Sequence, residues 1–153
     1  MKPIQQWLDE YATHHKNSIN KTIHWICIPL IFFSVVGLLY SVKLPYTVFE
    51  FKLNLAVFAL VFVMLYYQRL SVPLSFGMFL FSIICLFFCN FAEVNGFRLW
   101  FVCLVLFIAG WIGQTIGHKI EGQKPSFLED LQFLLIGPAW LMSFIYKKIG
   151  VKI

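Results

Sequence analysis

Histidine is the residue type with the clearest chemical potential in this sequence, and three of its four copies stand just where the chain turns apolar. The stretch EYATHHKNSINKTIHWICIPLIFF, residues 10–33, contains His14, His15 and His24, and the fourth histidine is His118. Neutral imidazole is a common ligand of zinc and iron, so these residues predict a metal site. A single histidine near a membrane surface more often has a structural role than binds a metal. The absence of histidine from the rest of the chain favours a shared site.

A second polar group occurs in the stretch WIGQTIGHKIEG. Gln114, His118 and Glu121 are spaced i, i+4 and i+7 and therefore form one stripe on a helix. Asn20 stands one helical turn before His24. Ligating histidines usually hold their second nitrogen in a hydrogen bond to a carboxylate or amide. We therefore predict Asn20, Gln114 and Glu121 as the candidate catalytic side chains beside the candidate metal ligands.

The composition sets the class of protein. The chain has 153 residues, of which 60% are hydrophobic and 12% charged, whereas soluble domains are about a quarter charged. This predicts an integral membrane protein with one domain, residues 1–153, embedded in a lipid bilayer. The net charge of +5 is attributed to cytoplasmic helix ends rather than to nucleic-acid binding. The sequence contains no CxxC pair, so a thiolate metal site is not predicted. All four cysteines lie in apolar runs, where they behave as small hydrophobic residues: Cys27, Cys85, Cys89 and Cys103.

The predicted fold class is an all-α membrane protein with four transmembrane helices. Four apolar runs of suitable length are separated by short connections, which favours antiparallel helix neighbours. The second run is slightly short, and an extension through residues 49–51 stays open. The predicted spans are about residues 24–42, 53–67, 74–91 and 99–117.

A fifth apolar run, residues 131–146, is interrupted at its middle by Gly137-Pro138. Proline removes a backbone hydrogen bond and disfavours helix in the preceding residue. Lys147 and Lys152 follow the run, and a full fifth crossing would place them outside, against the positive-inside tendency. We therefore predict a broken, re-entrant segment.

The N-terminal segment, residues 1–23, is predicted to lie on the membrane interface. A helix over about residues 3–15 has an apolar stripe. The sequence KNSIN after it is rich in residues favoured at turns and helix caps. A bend there would bring His15 towards His24, because positions nine apart point in opposite directions on a continuous helix. The stripe consists of Ile4, Trp7, Leu8 and Tyr11.

The number of spans decides where the histidines meet. With four crossings, the start of the first span and the end of the fourth lie at the same membrane face, so His24 and His118 lie together. His14 and His15 precede the first span and lie on that side as well. We predict all four as metal ligands at the cytoplasmic face. His14 is the weakest candidate, because neighbouring helix residues point about 100° apart.

Two sequence patterns resemble a known family. The first is His15-KNSI-Asn20-KTI-His24-WICI-Pro29, and the second is GHKIEGQKPSFLEDLQFLLIGPAWL. In this order around four spans, they resemble the small membrane-protein family that includes the yeast 2-hydroxy fatty acid dioxygenase of phytosphingosine breakdown. The resemblance covers about residues 7–148.

The resemblance implies an iron(II)-dependent dioxygenase that takes a 2-hydroxy fatty acid and O2 and yields a fatty acid one carbon shorter. His15, His24 and His118 match the family's histidines and become the expected Fe(2+) ligands. Glu121 matches a carboxylate that follows the second histidine pattern, although its spacing differs by one residue from that of the yeast member.

Two other classes remain consistent with the residues. One is a membrane protein that binds haem or another metal through its histidines, and the other is a non-catalytic lipid-binding membrane protein. The residues suit a bacterial inner membrane or an endoplasmic reticulum membrane equally, and a homo-oligomer is possible for a bundle this small.

Overall fold

The structure is a computed structural model that describes residues 2–48, 51–122 and 134–153. These residues form six helices and a two-stranded antiparallel sheet, so the predicted helical architecture is confirmed. The helices are α1 (Ile4–Thr13), α2 (Ser18–Tyr40), α3 (Leu55–Leu70), α4 (Val72–Val94), α5 (Leu99–Glu121) and α6 (Ile136–Ile149), and the strands are β1 (Lys43–Val48) and β2 (Phe51–Asn54).

Three of the described helices, α2, α4 and α5, are long and apolar enough to cross a membrane. Each has 23 residues, which at 1.5 Å per residue gives roughly 35 Å. The fourth predicted span, α3, has 16 residues and a length of roughly 24 Å. The outer faces of these helices carry many exposed large apolar side chains, including Phe62, Phe79, Phe87, Trp100 and Phe101. Such a surface is consistent with an integral membrane protein.

The hairpin of β1 and β2 was not predicted. The connection between the first two spans was predicted only to be short, and an extension of the second span through residues 49–51 was left open. Instead Phe51 pairs with Val48 and Lys43 pairs with Asn54, so the extension is wrong for Phe51; residues 49 and 50 lie outside the described residues. The Asn54 side chain accepts a hydrogen bond from the amide of Val57 at 3.3 Å. This N-cap explains why α3 begins at Leu55.

The starts of α2 and α4 are each fixed by a local helix cap. The Asn17 side chain accepts hydrogen bonds from the amides of Ile19 and Asn20 and so caps α2, which confirms the bend predicted at KNSIN. Ser71 caps α4, and Pro73 lies in its first turn, where its missing N–H costs nothing.

Small residues set the antiparallel register of α2 and α5. A β-carbon built on Gly110 would lie 2.6 Å from Ile31, and one on Gly113 would lie 2.5 Å from the sulfur of Cys27. Further along, a β-carbon on Gly117 would collide with Asn20. The two backbones therefore approach closely along their length. This contact brings the first turns of α2 beside the last turns of α5.

Helix α6 lies in the segment that was predicted to be broken at Gly137-Pro138. Gly137 and Pro138 lie in the first turn of α6, directly after a turn at residues 134–135, and the helix continues to Ile149. Proline is tolerated in a first turn because its missing N–H would have no partner inside the helix. Residues 131–133 of the predicted segment lie outside the described residues.

The apolar stripe of α1 packs on the protein itself. Ile4, Leu8 and Tyr11 are buried, and α1 contacts α6, where Tyr11 lies against Trp140 with ring centroids 5.2 Å apart. The stripe predicted for the membrane interface is thus used to fix α1 beside α6. This contact determines where the chain enters the bend before α2.

Candidate metal centre

The structure brings three histidines from distant parts of the chain into one buried group. Potential ligand atoms of His15, His24 and His118 all lie within 4.8 Å of one another. The ring centroids of His15 and His24 are 4.3 Å apart, those of His24 and His118 are 5.1 Å apart, and those of His15 and His118 are 5.6 Å apart. We call this group the histidine triad. It confirms that the ends of α2 and α5 meet.

His15 is positioned by the bend that follows α1. Its Nδ1 donates to the carbonyl of Tyr11 at 2.7 Å, which leaves Nε2 as the nitrogen available to bind. Nε2 of His15 is buried and has no hydrogen-bond partner among the residues that the structure describes. Burial lowers the pKa of His15 to about 4, although the Tyr11 carbonyl opposes this shift. The imidazole is therefore neutral at pH 7, as a metal ligand must be.

His24 is held in the same way, one turn into α2. Its Nδ1 donates to the backbone carbonyl of Asn20 at 3.0 Å, and the side chain is fully buried. A carbonyl only accepts, so both hydrogen bonds select the tautomer with Nδ1 protonated. His15 and His24 thus both keep Nε2 as their lone-pair nitrogen.

His118 comes to the triad from the last turns of α5. Gly117 beside it permits the approach of α2, since a β-carbon there would lie 3.3 Å from Cε1 of His24 and would collide with the Asn20 side chain. His118 is 8% exposed, so the group as a whole is shielded from solvent.

Two aromatic residues that the sequence analysis did not assign to the site form its wall. The ring of Tyr11 stacks on His15 with centroids 4.2 Å apart and an interplanar angle of 10°. Trp140 of α6 lies 5.5 Å from the same imidazole. Tyr11 stands one turn before His15, which is a signal that spacing could have revealed. The approach of Trp140 depends on tertiary packing.

The three predicted catalytic side chains, Asn20, Gln114 and Glu121, do not hold the second nitrogens of His15 and His24, which donate to backbone carbonyls instead. Glu121 accepts hydrogen bonds from the amides of Lys16 and Asn17, and its Oε2 accepts from Nδ2 of Asn20 at 2.9 Å. Asn20 is fully buried beside the triad. Gln114 is buried on α5 one turn before His118.

The structure does not bring His14 into the triad. His14 is the C-cap residue of α1, and the metal-compatible group found among the described residues consists of the other three histidines. The reason is the one expected for adjacent positions, because His15 turns inward at this end of the helix and its neighbour points elsewhere.

The triad fits a transition-metal ion. Imidazole nitrogens suit zinc, iron, copper and nickel, and the buried lone pair on Nε2 of His15 is costly without a partner. Nitrogens bound to one ion with bonds of about 2.1 Å lie roughly 3–4 Å apart, and the ligand atoms of the triad, all within 4.8 Å of one another, come close to this separation.

Comparisons with known proteins point the same way as the geometry. The family model described as "Mpo1-like: 2-hydroxy-palmitic acid dioxygenase Mpo1-like" matches residues 1–149. The chain is 30% identical over 149 residues to the 2-hydroxy-palmitic acid dioxygenase MPO1 of Saccharomyces cerevisiae, a match that covers 94% of this chain and 80% of the yeast protein. No solved structure matches the chain significantly.

Proposed function

The chain belongs to the Mpo1-like family, and from that premise we propose that it is an iron(II)-dependent dioxygenase that shortens 2-hydroxy fatty acids by one carbon with O2. The observation that carries the proposal is the buried histidine triad, whose ligand atoms lie within 4.8 Å of one another. When bound, iron(II) would supply redox chemistry with O2 and Lewis acidity towards oxygen atoms of the substrate.

The protein's own contribution begins with the three imidazoles. His15, His24 and His118 are the proposed ligands, and His14 lies outside this set. The carbonyls of Tyr11 and Asn20 fix two of the rings through Nδ1, so that Nε2 is already oriented before a metal binds. A set of three histidines leaves coordination positions open for a substrate.

The site lies at the end of apolar helices, which suits an amphiphilic substrate. We propose that the alkyl chain lies among the helices while the carboxylate and 2-hydroxyl group lie at the triad. Lys16 and Lys119 are exposed beside this end of the bundle and would attract a carboxylate electrostatically. Lys124, a third basic candidate, lies outside the described residues. Asn20, Gln114 and Glu121, predicted as candidate catalytic side chains, are proposed to support the site as polar groups near the triad.

The triad's geometry disfavours the haem alternative. Two axial histidines of a haem bind on opposite faces of the macrocycle, so their rings must be separated by the porphyrin. Centroids only 4.3–5.6 Å apart leave no space for a macrocycle between these rings. A non-catalytic lipid-binding role is distinguished from catalysis by metal content and turnover.

We further propose that α3 crosses the membrane with α2, α4 and α5, that α1 lies at the interface, and that α6 belongs to a re-entrant segment. The triad then lies at the cytoplasmic face of a bacterial inner membrane or an endoplasmic reticulum membrane. A cysteine introduced at Lys152 tests this topology. Labelling by an impermeant reagent only from the periplasmic or lumenal side would contradict it.

The test of function compares the wild type with His118→Ala. Both are purified in detergent under anaerobic, chelator-free conditions, and metal content is measured before iron(II), a 2-hydroxy fatty acid and O2 are supplied. Near-stoichiometric iron, oxygen consumption and a fatty acid one carbon shorter are expected from the wild type alone. Stoichiometric zinc with no turnover, or no metal in either protein, would contradict the proposal.

A further inference from the structure

The carboxylate of Glu121 connects two segments that are about a hundred positions apart in the sequence. Its Oε1 accepts from the amides of Lys16 at 2.8 Å and Asn17 at 3.1 Å. Its Oε2 accepts from the amide of Asn17 at 3.0 Å and from Nδ2 of Asn20 at 2.9 Å. A negative charge at a helix C-terminus opposes the helix dipole. The donors from the α1–α2 bend therefore compensate a charge that α5 itself disfavours.

These contacts also fix the orientation of a buried amide. An ionised carboxylate only accepts hydrogen bonds, so Asn20 must turn its NH2 group towards Glu121. Its Oδ1 consequently faces Gly117, and this oxygen is buried without a hydrogen-bond partner in the described part of the chain. The Asn20 backbone carbonyl in turn accepts from Nδ1 of His24. Glu121 thus contacts the side chain of the residue whose backbone carbonyl holds His24.

Each member of the triad is close in sequence to a group that Glu121 holds or to Glu121 itself. His15 directly precedes Lys16, His24 follows Asn20 by one turn, and His118 precedes Glu121 by one turn. Both carboxylate oxygens are already engaged by amide donors. This arrangement suits an anchor for the ligands better than a ligand.

We propose that Glu121 is a positioning residue: it binds the α1–α2 bend to the end of α5 and thereby holds His15 and His24 in register with His118. The effect on metal binding rests on the proposed function, whereas the attachment of the α1–α2 bend to the end of α5 does not. Glu121 acts through the histidines and contacts neither metal nor substrate.

The test is Glu121→Ala with Glu93→Ala as the matched control. Alanine removes both accepting oxygens, so the hydrogen bonds from the amides of Lys16 and Asn17 and from Asn20 are lost. Glu93 is also a glutamate in the last turn of a helix, and its partner is the ammonium group of Lys43 at the other end of the bundle. Both variants remove the same charge.

Two measurements on the detergent-solubilised full chain read out the effect. Amide hydrogen exchange at Lys16 and Asn17 should accelerate about tenfold in Glu121→Ala and stay unchanged in Glu93→Ala, with the amides of α4 as the internal check on folding. Cobalt(II) titration should give a dissociation constant raised about 10–100-fold, as for changes to groups that orient ligands. The absorption spectrum at saturating cobalt should remain that of the wild type.

The outcomes separate the alternatives. Unchanged exchange at Lys16 and Asn17 would overturn the proposal. So would a cobalt spectrum showing a lost ligand, which would make Glu121 a ligand, or unchanged cobalt affinity with lost turnover, which would make it a catalytic residue. If the wild type binds no metal, the proposed function fails. Amide hydrogen exchange at Lys16 and Asn17 then decides by itself whether Glu121 binds the α1–α2 bend to α5.

Discussion

The two ends of the helical bundle use similar residue types in opposite ways. At the histidine end, defined by the histidine triad with Asn20 and Glu121, the imidazoles and the amide are almost fully buried. At the hairpin end, defined by Tyr40, Lys43, Asn90 and Glu93, the polar contacts lie near the surface. The side chains of Lys43 and Glu93 form an ion pair at 2.7 Å while 28% and 46% exposed.

The difference lies in how much each end depends on complete pairing. A surface ion pair contributes about 0–1 kcal/mol, because water solvates either partner when the other is lost. A buried polar group without a partner costs about 1–3 kcal/mol. The histidine end keeps such atoms, namely Nε2 of His15 and Oδ1 of Asn20, without a hydrogen-bond partner among the described residues. Burial of this kind is what a binding site requires and what a purely structural contact avoids.

The largest expected effect is the loss of a triad member. His24→Ala or His118→Ala should lower metal affinity by more than about 100-fold, because removing a ligand costs more than disturbing its support. The measurement is metal content after dialysis against a defined free metal concentration. His14→Ala, a histidine outside the triad, is the matched control and should retain metal. Equal metal loss in His14→Ala would break the distinction between the two neighbours.

Substitutions of two glycines along the α2–α5 contact allow the histidine end and the hairpin end to be compared directly. Gly117→Ala forces a β-carbon against Asn20 and His24, and Gly37→Ala forces one against the sulfur of Cys103. Both should destabilise the fold by about 1–3 kcal/mol through overpacking. Thermal unfolding in detergent measures this effect. Only Gly117→Ala should also weaken metal binding, and a similar metal affinity in both variants would contradict a local role for Gly117.

Substitutions of one asparagine at each end, Asn20 and Asn90, should give a smaller difference in stability and metal affinity. Asn20→Ala removes the donor to Glu121 and should cost about 2 kcal/mol, since hydrogen bonds to charged groups contribute about 1.5–3 kcal/mol. Asn90→Ala removes only the acceptor for the Tyr40 hydroxyl at 3.3 Å and should cost about 1 kcal/mol or less. Unfolding and cobalt affinity are measured together. Weaker cobalt binding in Asn90→Ala would argue against separate ends.

The smallest expected effect is at the ion pair of the hairpin end. Lys43→Ala should change the free energy of unfolding by less than about 1 kcal/mol and leave metal binding unchanged. The same variant removes the contact of the ammonium group with the Tyr40 ring, 3.8 Å from its centroid. A drop in stability above about 2 kcal/mol would show that this end carries more of the fold than its exposure indicates.

The sequence predicted most helices because their signals are local. Apolar runs, the Asn17 cap and Pro73 in a first turn fix where helices begin. The hairpin of β1 and β2 was missed because its short runs resemble an ordinary connection. The Gly137-Pro138 pair lies in the first turn of α6, and the sequence pattern alone does not show whether a proline stands in the first turn or in the interior of a helix.

Much of the site was also accessible from the sequence. Spacing and the number of spans placed His24 and His118 at one end, and the bend at KNSIN brought His15 to them. The roles of Trp140 and of the Lys16 and Asn17 amides were not predicted. These contacts depend on side-chain packing and on backbone groups, which carry no signal in residue type.

The sequence alone therefore determined that the chain forms apolar helices with histidines at one end, because hydrophobic periodicity, caps and histidine positions are written in neighbouring residues. Only the tertiary structure decided that three histidines rather than four converge, and that Glu121 faces the bend. Those outcomes depend on the register of α2 against α5, which is set by close contacts at Gly110, Gly113 and Gly117 with residues far away in the chain. Contacts over such distances arise only when the helices pack.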